Sequence, residues 1–464
     1  MFHLRIACLM LADAICIGFF WLLATLGYWA VAKVGYHPVD YIRIWPIIPL
    51  YVGINILFRL YHGSVLHPSL PQSPSEELRR LFCSSILTHV LVMAVLGFSR
   101  QELDWSRLIM VLSGFCVAVF SQSFRGVARV LMRKAGVGQI RMVLMGSGAV
   151  AWEIANGLSS SSYYGISVVG YFGREKESCG LSIPRLGDIR DAVKVSRRLG
   201  VRRLLFCEDQ RIYKCQMREL TTWFTQIEYF PELSAFPILG ARPLSVEGLG
   251  GLEMVNLTGM RSILLQKKLL DWGFSIIAAI VSVPLIGVLA ILIKLTSRGP
   301  VFYRQHRLGQ GGRPFKIWKF RTMYMDADRR LKDLLKGNSA LKKEWKTFHK
   351  LANDPRVTSF GKFLRRTSLD ELPQIINVFA GEMSLIGPRP IVEDEVAYYG
   401  DRYAVFARAK PGITGLWQSK GRSDTDYARR VSLDVYYVLN WNIWLDLWIL
   451  KRTVGTVLMM KGAR

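Results

Sequence analysis

Four apolar stretches crowd the first 124 residues, at 6–31, 44–60, 81–98 and 108–124. A crossing helix needs roughly 17–20 apolar residues, so each is read as a membrane span. No small-residue cleavage pattern follows the first, which makes it an uncleaved anchor. Flanking charge orients the set. Arg59, Arg79 and Arg80 flank the second connection, and Arg125, Arg129, Arg133 and Lys134 follow the fourth span. The first and third connections carry Asp40, Glu102 and Asp104 with few basic residues. The positive-inside rule then places both ends of a four-helix bundle in the cytoplasm. The third stretch contains Ser84, Ser85 and His89, so a buried soluble helix is its alternative.

From residue 140 the pattern turns α/β. Strands are read at 140–145, 168–172 and 203–206, and Gly146-Ser147-Gly148-Ala149-Val150-Ala151 opens a helix after the first. This is the layout in which glycines let backbone approach a pyrophosphate at a helix N-terminus. The fingerprint is broken. Gly173 and Arg174 stand where an acid should meet the ribose hydroxyls, and no Tyr-x-x-x-Lys pair follows Tyr163 or Tyr164. A structural or regulatory Rossmann-like module fits better than a working cofactor site.

The formal charge is +26, and +18 of it lies in residues 261–464. Such a surface suits anionic headgroups or phosphorylated substrates. No zinc-finger, RNP or helix-turn-helix pattern appears, so nucleic acid is the weakest of the three partners and none is expected. The seven cysteines form no CxxC pair, as in a reducing compartment. Residues 269–295 are apolar but interrupted by Pro284, which breaks or kinks a helix. Basic residues at both ends argue against a kinked fifth span. They favour a re-entrant helix that enters and leaves on the cytoplasmic face.

Adjacent carboxylates Asp370 and Glu371 sit behind Arg365 and Arg366. Ser368 with Glu371 has capping-box spacing, predicting a helix start there. Both acids then either complement the helix dipole or form a phosphate site, with a hard cation on the carboxylates and one of them as nucleophile. Arg389, held between Pro388 and Pro390, either faces an anion or sits in a solvated turn. Lys319 and Arg321 alternate onto one strand face, as a phosphate-binding edge or a solvated one. Trp441, Trp444 and Trp448, followed by Lys451, Arg452 and Lys461, read as an interfacial helix or an amphipathic core helix.

The strings KFRTM (319–323), RTSLDELPQ (366–374), GPRP (387–390) and KPGITGLWQ (410–418) resemble, in that order, bacterial polyprenyl-phosphate hexose-1-phosphate transferases, and the domain order resembles their large monotopic branch. The resemblance implies a four-helix transmembrane bundle (1–135), a Rossmann-like domain (136–258) and a monotopic α/β catalytic domain (259–464). It implies transfer of a hexose-1-phosphate, galactose before glucose, from a UDP-sugar to undecaprenyl phosphate, opening glycan synthesis at the bacterial inner membrane. Asp370 would be the nucleophile, UMP the leaving group, and Glu371 a holder of Mg²⁺. Arg389 and Arg365 match phosphate-binding positions, and Asp434 and Asp446 match acids placed near the metal. A homodimer is the expected assembly. Where the family has Ser-Pro at the membrane break, this chain has Val283-Pro284, with Ser282 one position earlier. A membrane-anchored nucleotide-sugar epimerase or dehydratase built on 140–255 is the competing enzyme class, and a regulatory scaffold the non-enzymatic one.

Overall fold

The computed structural model describes residues 2–32, 45–61, 63–64, 67–68, 73–98, 107–146, 151–152, 154–155, 163, 165–173, 183–207, 214–230, 242–246, 249–253, 261–327, 329, 331, 354, 356–420 and 426–458. Asp40, Glu102, Asp104, residues 147–150 of the glycine loop, Tyr164, Arg174 and Lys461 lie outside the described residues. The chain divides into two compact units, Met1–Leu233 and Ser234–Arg464.

The first unit opens with helices α1 (Phe2–Ala32), α2 (Ile47–Leu57), α3 (Pro74–Phe98) and α4 (Arg107–Lys134). Three of them, α1, α3 and α4, are long and apolar enough to cross a membrane. The expectation of four spans is corrected at α2. Its 11 residues reach about 16 Å at 1.5 Å per residue, roughly half of a hydrocarbon core. The local chemistry explains the shortening. Pro46 is the N-cap and Arg59, at φ 54°, turns the chain into the left-handed region just past the C-cap.

Inside this bundle Arg125 is completely buried between Asp13 and Glu77, and Arg129 also pairs with Glu77. A lone buried charge is costly, whereas this network gives each guanidinium a carboxylate. Asn55 and Tyr61 donate to Asp13 Oδ2 at 2.9 and 2.5 Å.

The sheet that follows contains β1 (Ile140–Met145), β2 (Ile166–Phe172), β3 (Arg185–Gly187), β4 (Arg203–Phe206) and β5 (Gln226–Tyr229), with helices α5 (Ala192–Leu199) and α6 (Lys214–Trp223). Its order is β3-β2-β1-β4-β5 and every pairing is parallel. These are five of the six strands of the doubly wound order 3-2-1-4-5-6. The central strand β1 is buried except for Arg141, as continuous burial on both faces requires. Tyr163, just before β2, donates to Glu77 Oε2 at 2.8 Å and so ties the sheet to the bundle.

The second unit begins with the hairpin β6 (Arg242–Val246) and β7 (Leu249–Glu253). Helix α7 (Arg261–Thr296) contains Pro284 and bends by 49° between Leu264–Ile280 and Ser282–Thr296. Pro284 has no N–H for the Ile280 carbonyl, which is where the bend lies. Apolar side chains stay exposed on both halves, including Leu269, Trp272, Ile277, Val288 and Ile291, as a lipid-facing helix needs. After the bend, Leu289 and Ile293 pack on Phe320 and Leu364.

Beyond α7 come β8 (Phe302–Leu308) and β9 (Pro314–Phe320), an antiparallel pair. Helices α8 (Ser359–Thr367) and α9 (Ile375–Phe379) follow, and then the parallel pair β10 (Ser384–Ile386) and β11 (Gly412–Thr414). Helices α10 (Leu416–Lys420), α11 (Tyr427–Leu439) and α12 (Ile443–Leu458) complete the described unit.

Candidate active site

Helix α8 starts where Thr358 accepts from the Gly361 N–H at 2.9 Å, and it carries Arg365 and Arg366 in its last turn. It stops at Ser368, whose φ of 57° and ψ of 20° lie in the left-handed region. This corrects the capping-box expectation: Ser368 ends one helix and its side chain caps none in the next. Its carbonyl instead accepts from the Glu371 N–H at 3.3 Å, the first bond of a 3₁₀ turn over Leu369–Gln374. Asp370 and Glu371 occupy that first turn, and Pro373 lies inside the 3₁₀ segment. The turn runs directly into α9.

Asn377 fastens this assembly to β9. Its amide donates to the Lys316 carbonyl at 2.8 Å and its oxygen accepts from the Trp318 N–H at 3.0 Å. Lys319, the next polar residue on that strand, then reaches Glu371 Oε1 at 2.8 Å. Glu371 is thereby neutralised on one side while Asp370 is not. Burial, and next the adjacent Glu371 carboxylate, push Asp370 from the ordinary 3.8 up to about 6, against the pull of Lys319 and Arg365. At pH 7 about nine-tenths of such a group is ionised. It is an anion, yet more basic than an ordinary aspartate, and those are the properties of a carboxylate nucleophile.

One cavity is lined by Arg307, Lys319, Glu371, Gln374, Arg389 and Gln418. Arg389 arrives there because two glycine-containing turns touch back to back. A Cβ on Gly412 would meet the Gly387 nitrogen at 2.0 Å, and one on Gly415 would meet the Gly387 carbonyl oxygen at 2.4 Å. Only glycine permits that approach, and the Arg389 turn is held by it. The Arg389 guanidinium lies 5.7 Å from the Trp417 ring. Arg307 was not foreseen. It stands in the strand alternation of β8 with no motif around it, and burial together with Arg389 lowers its pKa.

The remaining candidates fall elsewhere. Arg365 Nε donates to Thr322 Oγ1 at 2.9 Å, and its charge acts on Asp370. Arg321 leaves the strand face expected for it because β9 ends at Phe320. Its Nη2 donates to Ser297 O and Oγ at 3.0 and 2.8 Å, capping the end of α7. Asp434 is buried, accepts from Tyr399 at 2.9 Å, and is pushed up to about 8 by that burial.

Asp446 accepts from Lys267 and Trp441 on one oxygen, at 2.7 and 2.9 Å, and from Tyr437 on the other at 2.8 Å. Lys267 also bonds Asp271 and the Ile386 carbonyl, at 3.0 and 2.9 Å, so Asp446 anchors α7 to β10 and α12. The expected four-acid metal set therefore does not assemble. Among the described residues no group of three or more His, Cys, Asp or Glu side chains could hold a metal ion. Asp370 and Glu371 alone remain as hard oxygen donors. That number suits Mg²⁺, which takes one or two carboxylates and completes its octahedron with water and phosphate oxygens.

Residues 262–460 match the family described as bacterial sugar transferase, and residues 69–212 match one described as CoA-binding domain. The undecaprenyl-phosphate galactose phosphotransferase of Salmonella typhimurium is 33% identical over 83% of this chain and 82% of its own length. The UDP-glucose:undecaprenyl-phosphate glucose-1-phosphate transferase of Klebsiella pneumoniae is 32% identical over 71% of this chain and 70% of its own. The exopolysaccharide production protein ExoY of Sinorhizobium fredii is 44% identical over 43% of this chain, which accounts for 88% of that shorter relative.

Proposed function

The chain belongs to the bacterial sugar transferase family, and from that premise we propose that Asp370 moves a hexose-1-phosphate from a UDP-sugar to undecaprenyl phosphate through a covalent intermediate. As a member, the protein transfers sugar phosphate, galactose or glucose, to a lipid carrier in exopolysaccharide or capsule synthesis. The observation that carries the finer reading is the pair at the 3₁₀ turn. Glu371 is held by Lys319 at 2.8 Å, while Asp370 is a half-buried carboxylate of raised basicity.

In the first step an Asp370 oxygen bonds the sugar-bearing phosphorus, and the bond from that phosphorus to the bridging oxygen breaks. UMP leaves with the electron pair. In the second step an oxygen of undecaprenyl phosphate bonds the same phosphorus and expels the Asp370 carboxylate, giving the diphosphate-linked lipid sugar. Mg²⁺ held by Asp370 and Glu371 would supply charge neutralisation between the phosphates and the attacking carboxylate. Arg307 and Arg389 bind the phosphate oxygens, Arg389 from the backbone turn that the Gly387–Gly412 contact holds. Arg365, tied to Thr322, stabilises the carboxylate form of Asp370.

The bend at Ile280–Ser282 supports a re-entrant α7 that brings the lipid phosphate to the turn at the inner-membrane surface, with the catalytic unit cytoplasmic. Galactose is the preferred hexose because the galactose-named relative aligns over more of both chains than the glucose-named one. UMP release from a panel of UDP-sugars, with undecaprenyl phosphate in mixed micelles, tests this reading. UDP-galactose should give the largest kcat/KM. Equal rates without the lipid acceptor or with any nucleotide sugar would contradict it.

A further inference from the structure

Where the bundle meets the parallel sheet, at the amino-terminal ends of β1 and β2, lies a cavity of about 210 Å³. This is the opposite edge from the one where doubly wound folds bind nucleotides, outside the carboxyl ends of the strands. Arg5 of α1 and Arg129 and Arg133 of α4 line it, with Gly138, Gly165 and Ser167. Asp13 and Glu77 are the carboxylates of the adjoining network, and both are engaged, by Arg125 and by Arg125 with Arg129. Three guanidiniums thus line the cavity, while Asp13 and Glu77 beside it are already paired. Arg129 Nε is buried with no hydrogen-bond partner among the described residues.

The backbone is shaped around these groups. Arg5 is 2% exposed, and its guanidinium donates to the carbonyls of Gly138 and Tyr163 at 3.5 and 3.2 Å. A Cβ on Gly165, at φ +59°, would fall 1.7 Å from Arg5 Nη1, so any other residue would evict the guanidinium.

We propose that this cavity binds a phosphate group, free or carried on a lipid headgroup. Guanidinium forks match phosphate oxygens, and carbonyl-rich or apolar ligands would leave the excess positive charge uncompensated. The arginine-rich ends of α1 and α4 are also the ends that the charge pattern puts at the inner-leaflet headgroups. An anion there bridges α1, α4 and the start of the sheet.

The test uses the full-length protein, delipidated in phosphate-free detergent buffer. Its unfolding temperature is followed by tryptophan fluorescence during titration with inorganic phosphate, phosphatidic acid, or phosphatidylcholine as the zwitterionic control. A bound phosphate stabilises the fold by mass action. Arg5→Gln and Arg133→Gln should each weaken the effect about tenfold, the loss of one charge-assisted contact. Arg133 is exposed, so its variant folds and decides the matter even where Arg5→Gln does not. Stabilisation by both phosphate probes and its loss in Arg133→Gln supports a site for phosphate whatever its carrier. Response to phosphatidic acid alone supports a headgroup site. No stabilisation by either probe, or an Arg133→Gln response equal to wild type, overturns the proposal; the second outcome also covers phosphate held only at the catalytic cavity.

Discussion

Replacing Asp370 with Asn should abolish transfer and at the same time make the protein more stable. The folded environment raises the Asp370 pKa from 3.8 to about 6, chiefly by burial and then by Glu371. At 1.36 kcal/mol per pKa unit this corresponds to about 3 kcal/mol, which solvent screening of a half-buried group trims to about 2 kcal/mol. The sign follows from proton binding. The folded state holds this proton more tightly than the unfolded chain, so the ionised form opposes folding. That opposition is complete above pH 6 and vanishes below about pH 4. Asn carries no charge, and at pH 7.5 the variant should unfold about 4–8 °C higher, from about 2–4 °C per kcal/mol in a domain of this size. At pH 4 the two proteins should unfold together. Tryptophan fluorescence of the full-length protein in detergent at both pH values reads the difference. A variant no more stable at pH 7.5, or equally stabilised at both, would refute the assignment of strain to the Asp370 charge.

Two further outcomes depend on the same turn. Lys319 lowers the pKa of Asp370, so Lys319→Met should move the acid limb of the UMP-release profile from near pH 6 toward neutrality, whereas an unmoved limb would detach Lys319 from the nucleophile. Turnover should stop with EDTA and return with Mg²⁺; full activity in chelator would remove the metal from the account.

Much of this was legible in the linear sequence, for reasons that are local. Periodicity marked β1, β4 and the long helices, and Pro284 marked the bend because the missing N–H acts wherever the residue sits. The clustering of Asp370, Glu371, Arg365 and Lys319 followed from motifs that lie on adjacent elements. What was not legible depended on tertiary burial. Asp434 and Asp446 have ordinary helix spacing, and nothing local says that one is closed in beside Tyr399 while the other takes three donors. Arg321 looked equivalent to Lys319 until β9 ended one residue too soon. Arg307 is one arginine in an alternating strand, and Asn377 one amide in a short apolar helix. Their roles appear only when β8, β9 and α9 are placed together. The 44–60 stretch was read by hydrophobicity alone, and its length was set instead by Pro46 and the left-handed Arg59.

The most direct measurement is mass spectrometry of the protein quenched in acid after brief mixing with a labelled UDP-hexose in the absence of lipid acceptor. The account predicts a peptide containing Asp370 heavier by one hexose phosphate, absent from Asp370→Asn and discharged on adding undecaprenyl phosphate. An enzyme that turns over normally while Asp370 never acquires that mass would contradict it.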